Sequence, residues 1–84
     1  MKKHIEYNTK GTCARAVIVD VEDGVITSCK FVGGCHGNTQ GVAALVIGMT
    51  AEDAIKRLSG IRCGMRNTSC PDQLARALKE MLGE

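Results

Sequence analysis

The chain has 84 residues and a formal net charge of +2, so it has room for one hydrophobic core and too little charge to imply nucleic-acid binding. Tyr7 and Phe31 are its only aromatic residues, so the core is expected to be aliphatic. No stretch approaches the roughly 18 apolar residues that span a bilayer. We therefore expect a single domain over residues 1–84 that has no membrane partner.

Two runs rich in β-branched residues, 14–21 and 25–32, predict neighbouring strands. The segment Glu22-Asp23-Gly24 between them has the composition of a tight turn, so the two strands should form an antiparallel hairpin. Residues 4–8 are expected to add a third strand.

Alternation along the second predicted strand divides its side chains between two faces. Val25, Thr27, Cys29 and Phe31 share one face, and Ile26, Ser28 and Lys30 share the other. We take the face with Phe31 as the core face. Cys29 would then point into the core, away from the other thiols.

A glycine-rich loop follows the strands and leads into two predicted helices. The first is expected from Asn38 to Gly48, because its apolar residues lie three and four positions apart. Thr50 and Asp53 resemble a capping box, and a second apolar stripe follows up to Gly60.

The last helix is expected to begin at Cys70 or Ser69, because Pro71 suits a first helical position and Asp72 suits the positive end of the helix dipole. Strands followed by helices predict an α+β fold, in which about three helices cover an antiparallel three-stranded sheet.

The chain contains five cysteines, a density typical of disulfide frameworks or metal sites. The charged segment after Met1 lacks the apolar run of a signal peptide, and an odd count would leave one thiol unpaired. We therefore expect a cytoplasmic protein with reduced thiols. A domain of this size is marginally stable alone, so a metal or a partner chain is expected to add to its stability.

Four cysteines fall in loops or at the ends of predicted elements: Cys13, Cys35, Cys63 and Cys70. Their spacing lacks the closely paired cysteines of zinc fingers. The four cysteines could therefore also be small buried hydrophobic residues with no metal. Cys35 and Cys70 adjoin helix starts, where unpaired N–H groups favour the thiolate. Since thiolates both bind metals and attack disulfides, both functions stay open. His36 is either a further donor or a solvated loop residue.

The segment from residue 56 to residue 79 carries six basic residues and only one acid. Glycines before a helix start could add an anion site, for which the candidates are Gly34, Gly37, Asn38 and Thr39. A solvated basic face is the alternative. The chain has no phosphate-binding glycine motif, no aromatic platform for bases, and no catalytic triad or carboxylate pair. We therefore expect neither a nucleic-acid partner nor a hydrolase.

The segment Thr68-Ser69-Cys70-Pro71-Asp72 reads TSCPD. Together with Cys13, Gly34-Cys35 and Cys63-Gly64, it makes the chain resemble the small four-cysteine TSCPD-domain family over nearly its whole length. Related domains occur at the C-terminal end of vitamin-B12-dependent ribonucleotide reductases. The resemblance implies a bound metal such as zinc and no assigned reaction.

Residues 11–21 and Gly34-Cys35 are also similar, more distantly, to the U-type iron–sulfur scaffold proteins, and this similarity implies their fold. By the same similarity, Cys13, Cys35 and Cys70 would match the three scaffold cysteines. Arg15 and Ser69 replace the scaffold aspartate and histidine, which argues against cluster assembly. Cys63 would instead complete a closed site of four sulfurs.

We therefore expect a metal-binding module with a structural or accessory role, in which Cys13, Cys35, Cys63 and Cys70 hold zinc in preference to an iron–sulfur cluster. The alternative is a thiol-redox or cofactor-binding protein, in which Cys35 and Cys70 react and a phosphate-bearing nucleotide or flavin binds at the helix starts. A second copy of the chain and an accessory protein are the remaining candidate partners.

Overall fold

The computed structural model describes residues 1–34 and 36–83, which form a three-stranded antiparallel sheet followed by three helices. The elements in chain order are β1 (Lys2–Asn8), β2 (Ala14–Glu22), β3 (Val25–Gly33), α1 (His36–Val46), α2 (Ala51–Leu58) and α3 (Cys70–Met81). The strands lie in the order β1-β2-β3, so the predicted α+β architecture is confirmed. Within the described residues, no helix is both long and apolar enough to cross a bilayer.

The turn between β2 and β3 has two residues, Asp23 and Gly24, both with positive φ (51° and 82°). This is the backbone of a turn whose twist matches the flanking strands, and a glycine at its second position adopts it without strain. The predicted antiparallel hairpin is confirmed.

One face of the sheet forms the floor of the core. Val17 and Val19 of β2 are fully buried, and they pair with Phe31 and Cys29 of β3. Because directly paired residues lie on the same face, Phe31 and Cys29 point toward the helices, as the alternation predicted.

The alternation prediction is wrong at the start of β3. The register shifts between Asp20 and Val21, so that Thr27 has no partner in β2 and forms a bulge. Val21 therefore pairs with Ile26, which is fully buried, whereas Thr27 is exposed and Val25 is half-buried. One extra residue exchanges the two faces of a strand, and residue spacing alone does not reveal it.

The core between sheet and helices is aliphatic, as expected from the composition. Its buried members are Val17, Val19, Val21, Ile26, Val46, Ala51, Ala54, Ile55, Leu74, Ala77 and Leu78. The amphipathic helix α3 contributes Leu74, Ala77 and Leu78, as its spacing predicted. Fully burying one leucine of this kind contributes about 1.5–3 kcal/mol.

The connection between α1 and α2 covers part of the outer edge of β3. Gly48 N–H donates to the Ile26 carbonyl (2.9 Å), and Ile26 N–H donates to the Met49 carbonyl (2.8 Å). Thr50 then caps α2, because its hydroxyl accepts the Asp53 N–H (3.1 Å), as predicted. These bonds fix α1 and α2 to the sheet and leave the other end of α1 beside the candidate site.

Candidate metal centre

Three of the four predicted metal ligands line one surface pocket of about 310 Å³, here called the cysteine pocket. Cys13 precedes β2, Cys63 lies between α2 and α3, and Cys70 is the first residue of α3. The described lining residues are Thr12, Cys13, Asn38, Ile61, Arg62, Cys63, Arg66, Ser69, Cys70 and Pro71. The fourth predicted ligand, Cys35, lies outside the described residues, as does the side chain of His36.

The chain on either side of Cys35 lies close to the pocket. Gly34 has φ +87°, and a Cβ atom there would lie 3.1 Å from the backbone nitrogen and Cβ of Ala14. Only glycine allows this approach without strain. Gly34 and Ala14 are the chain neighbours of Cys35 and Cys13, and Asn38 in the first turn of α1 lines the pocket.

Cys70 is held at the pocket by the start of α3. The N-cap is Ser69, whose hydroxyl accepts the Asp72 N–H (3.1 Å), and Cys70 is the first helical residue, so the predicted helix start at Cys70 or Ser69 is confirmed. Pro71 occupies the second helical position and not the first. Cys70 is only 5% exposed, so its position is set by the packing of this turn.

Asp72 connects the start of α3 to the end of α2. Its buried carboxylate accepts the Gly60 N–H (2.7 Å) and the Thr68 hydroxyl, and it pairs with Arg76 (3.1 Å). Burial by itself raises the pKa of Asp72, but these two hydrogen bonds and Arg76 together outweigh it and leave the pKa below its ordinary value. The charged carboxylate is therefore part of the folded structure.

Gln73 and Thr68 hold the loop that carries Cys13. The side chain of Gln73 is almost fully buried; its amide donates to the Thr68 hydroxyl (3.0 Å) and its oxygen accepts the Lys10 N–H (3.1 Å). At Gly11 (φ +77°), a Cβ atom would lie 3.1 Å from the Thr68 methyl group. The Cys13 loop is thus packed against the residue that also contacts Asp72.

The Cys63 loop is attached to the same threonine. Cys63 N–H donates to the Thr68 carbonyl (3.1 Å), and Arg66 N–H donates to the Cys63 carbonyl (3.0 Å). Gly64, with φ +59°, makes the tight turn between them. Thr68 therefore joins the segments that carry Cys13, Cys63 and Cys70. Gln73 and this role of Thr68 were not predicted, because nothing in the residue pattern separates them from ordinary polar residues.

The fifth cysteine has a different environment. Cys29 packs against the core, and burial raises the pKa of its thiol to about 11. It is not among the described residues that line the cysteine pocket. This placement agrees with the separation of Cys29 from the other thiols that the strand pattern predicted.

The donor chemistry of the pocket suits a soft or borderline metal ion, since thiolates are the ligands that such ions prefer. The charged residues among its described lining are Arg62 and Arg66. Within residues 1–34 and 36–83, no group of three or more histidine, cysteine, aspartate or glutamate residues is arranged so that it could hold a metal ion. Cys13, Cys63 and Cys70 therefore share one pocket without forming a metal-ligand set among the described residues.

The structure does not bring the four residues predicted as an anion site to one pocket. Asn38 lines the cysteine pocket. Gly34 and Thr39 instead line a groove of about 530 Å³ between β3 and α1, and Gly37 is exposed in the first turn of α1. The positive residues of the cysteine pocket come from the loop before α3.

The family model of the TSCPD domain matches residues 1–82 of the chain. No curated protein and no solved structure matches it. The more distant similarity to the U-type iron–sulfur scaffolds stays a prediction.

Proposed function

The chain belongs to the TSCPD domain family, and we propose that it is a metal-binding module in which Cys13, Cys35, Cys63 and Cys70 hold one metal ion. The observation that supports this proposal is the shared pocket of Cys13, Cys63 and Cys70, which come from three separate segments of the chain. Cys29, in contrast, faces the core.

Zinc is the preferred ion because four sulfur ligands suit its closed tetrahedral geometry. The contact between Gly34 and Ala14 supports Cys35 as the fourth ligand, since these residues are the chain neighbours of Cys35 and Cys13.

The role that we propose for the metal is structural or accessory. It would join the Cys13 loop, the Cys63 loop and the start of α3, which the Thr68 hydrogen bonds already hold together. Structural zinc contributes about 10–16 kcal/mol of apparent binding energy in small peptides. A lone small domain has about 5–15 kcal/mol of stability, so the metal would contribute an amount comparable to the whole stability of the domain.

The proposal is tested by the zinc content of the purified protein and of its five single Cys→Ser variants. We expect one zinc per chain in the wild type and in Cys29→Ser, the matched control. Each variant of the four proposed ligands should lose the metal. Equal loss in Cys29→Ser and Cys63→Ser would contradict the assignment of ligands.

A second measurement addresses the structural role. A strong chelator should lower the melting temperature sharply, and added zinc should restore it. A reduced, metal-free protein whose helices and melting temperature are unchanged would refute the structural role. Reversible disulfide formation in that protein would favour the thiol-redox alternative.

A further inference from the structure

We infer that the cysteine pocket also binds a small organic oxyanion of the phosphate-ester type, with Arg62 and Arg66 as its recognition residues. The inference concerns the same pocket as the proposed metal site, but it depends on the arginines and not on the cysteines. It therefore stands or falls separately from metal binding.

The first argument is that these two arginines have no acidic partner. Elsewhere in the chain Arg57 pairs with Asp53 and Arg76 pairs with Asp72, both at 3.1 Å. Arg15 of β2 also has no ion pair among the described residues, but it does not line the pocket. Arg62 has no ion-pair partner among residues 1–34 and 36–83, and neither has Arg66.

The described lining of the pocket offers no acidic side chain to these arginines, since it contains no aspartate or glutamate. The backbone of Arg66 is fixed by its hydrogen bond to the Cys63 carbonyl (3.0 Å), and its side chain is exposed. A planar guanidinium binds phosphate and carboxylate oxygens through paired hydrogen bonds.

The second argument is the remaining polarity of the pocket wall. Asn38 comes from the first turn of α1, which has no acidic residue, and Ser69 and Cys70 come from the start of α3. The positive ends of two helices therefore line the same cavity as the arginines. Asp72 is the acid in the first turn of α3. Its carboxylate accepts hydrogen bonds from Gly60 and Thr68, and it is not among the described lining residues of the pocket.

The third argument is the size and apolar part of the cavity. Its volume of about 310 Å³ is at the small end of ordinary ligand sites, which begin at about 300 Å³. Ile61 and Pro71 supply an apolar wall beside the polar groups. The cavity therefore suits a phosphate group with a short organic portion better than free inorganic phosphate.

The test is calorimetric titration of the reduced full chain as purified, with its zinc content measured in the same sample. The probes are glycerol 3-phosphate, inorganic phosphate and glycerol. We expect saturable binding of the ester, weaker binding of inorganic phosphate and none of glycerol. If inorganic phosphate binds as tightly as the ester, the claim that the pocket recognises an organic portion is refuted. If no probe gives saturable binding, the site itself is refuted.

Three variants with the same change of charge locate the site. Arg62→Gln and Arg66→Gln should each weaken binding about tenfold or more, as expected for the loss of one charged hydrogen-bonding group. Lys56→Gln removes an exposed charge of α2 that does not line the pocket, so it should change affinity less than about twofold. Equal weakening in all three variants would show general electrostatic attraction and overturn the inference.

Zinc content separates this inference from the proposed function. The arginine variants should keep the zinc of the wild type, because neither arginine is a ligand. If the purified protein contains no zinc but still binds the ester through the arginines, this inference is supported and metal binding is refuted. Ester binding that is lost only where zinc is lost would refute recognition by the arginines.

Discussion

Replacement of Asp72 by asparagine should destabilise the domain strongly, because this carboxylate is a buried acceptor for two segments. It accepts the Gly60 N–H (2.7 Å) and the Thr68 hydroxyl, and the residue is 5% exposed. A hydrogen bond to a charged group contributes about 1.5–3 kcal/mol, and an asparagine oxygen can satisfy only one of the two donors easily. Arg76 is half-exposed, so its ion pair adds at most about 1 kcal/mol.

We therefore expect Asp72→Asn to lower the free energy of unfolding by about 2–4 kcal/mol. The assay is urea denaturation followed by circular dichroism near neutral pH, with the same zinc concentration for each variant. The matched control is Asp53→Asn, since Asp53 also pairs with an arginine four residues later at 3.1 Å but lies on the exposed face of α2. This control should cost less than about 0.5 kcal/mol.

The pH dependence follows from the lowered pKa of Asp72. Because the folded pKa is below the unfolded value of about 3.9, the stabilisation is complete above that value and is lost as the pH falls through the folded pKa. The difference between wild type and Asp72→Asn should therefore shrink in acid. Equal destabilisation by the two asparagine variants at neutral pH would refute the buried network.

Two further predictions concern other titratable groups. Burial raises the pKa of Cys29 to about 11. In the metal-free protein Cys29 should therefore react with an alkylating agent more slowly than the exposed thiol of Cys63. Mass spectrometry of the labelled peptides would measure the two rates. The pKa of His4 should lie above its ordinary value, because Asp20 (2.5 Å) and Glu6 accept hydrogen bonds from its charged ring, and Asp20→Asn should lower it in an NMR titration. The stabilisation from this cluster is present below about pH 6.5 and is lost as the pH rises through the folded pKa of His4, so an unchanged pKa in Asp20→Asn would contradict the contact.

Local sequence patterns predicted most of the fold. The turn at Asp23-Gly24, the cap at Thr50 and the apolar stripe of α3 each depend on residues close together in the chain, and all three are present. The bulge at Thr27 was missed because it depends on how β3 pairs with β2. The contact of Gly48 and Met49 with the edge of β3 was missed for the same reason, since it joins distant segments.

The candidate site was predictable only in part. Loop placement and family resemblance selected Cys13, Cys63 and Cys70, which the structure brings to one pocket. The supporting interactions were not predictable, because they are long-range hydrogen bonds. Asp72 was read as an acid at a helix dipole, whereas it is a buried acceptor, and the buried amide of Gln73 has no distinguishing sequence signal.

The structure also gives a physical reason for the TSCPD signature of this chain. Thr68 and Asp72 bond to each other, Ser69 caps the helix, and Pro71 fits the second helical position. Four of the five residues thus build the turn that holds Cys70 at the pocket.

X-ray absorption at the zinc edge of the loaded protein tests the metal proposal most directly, because it counts the ligands and identifies their element. Coordination by Cys13, Cys35, Cys63 and Cys70 predicts four sulfur neighbours at about 2.3 Å from the metal. The Cys29→Ser variant should give the same spectrum. A first shell dominated by nitrogen or oxygen at about 2.0 Å would contradict the four-thiolate site.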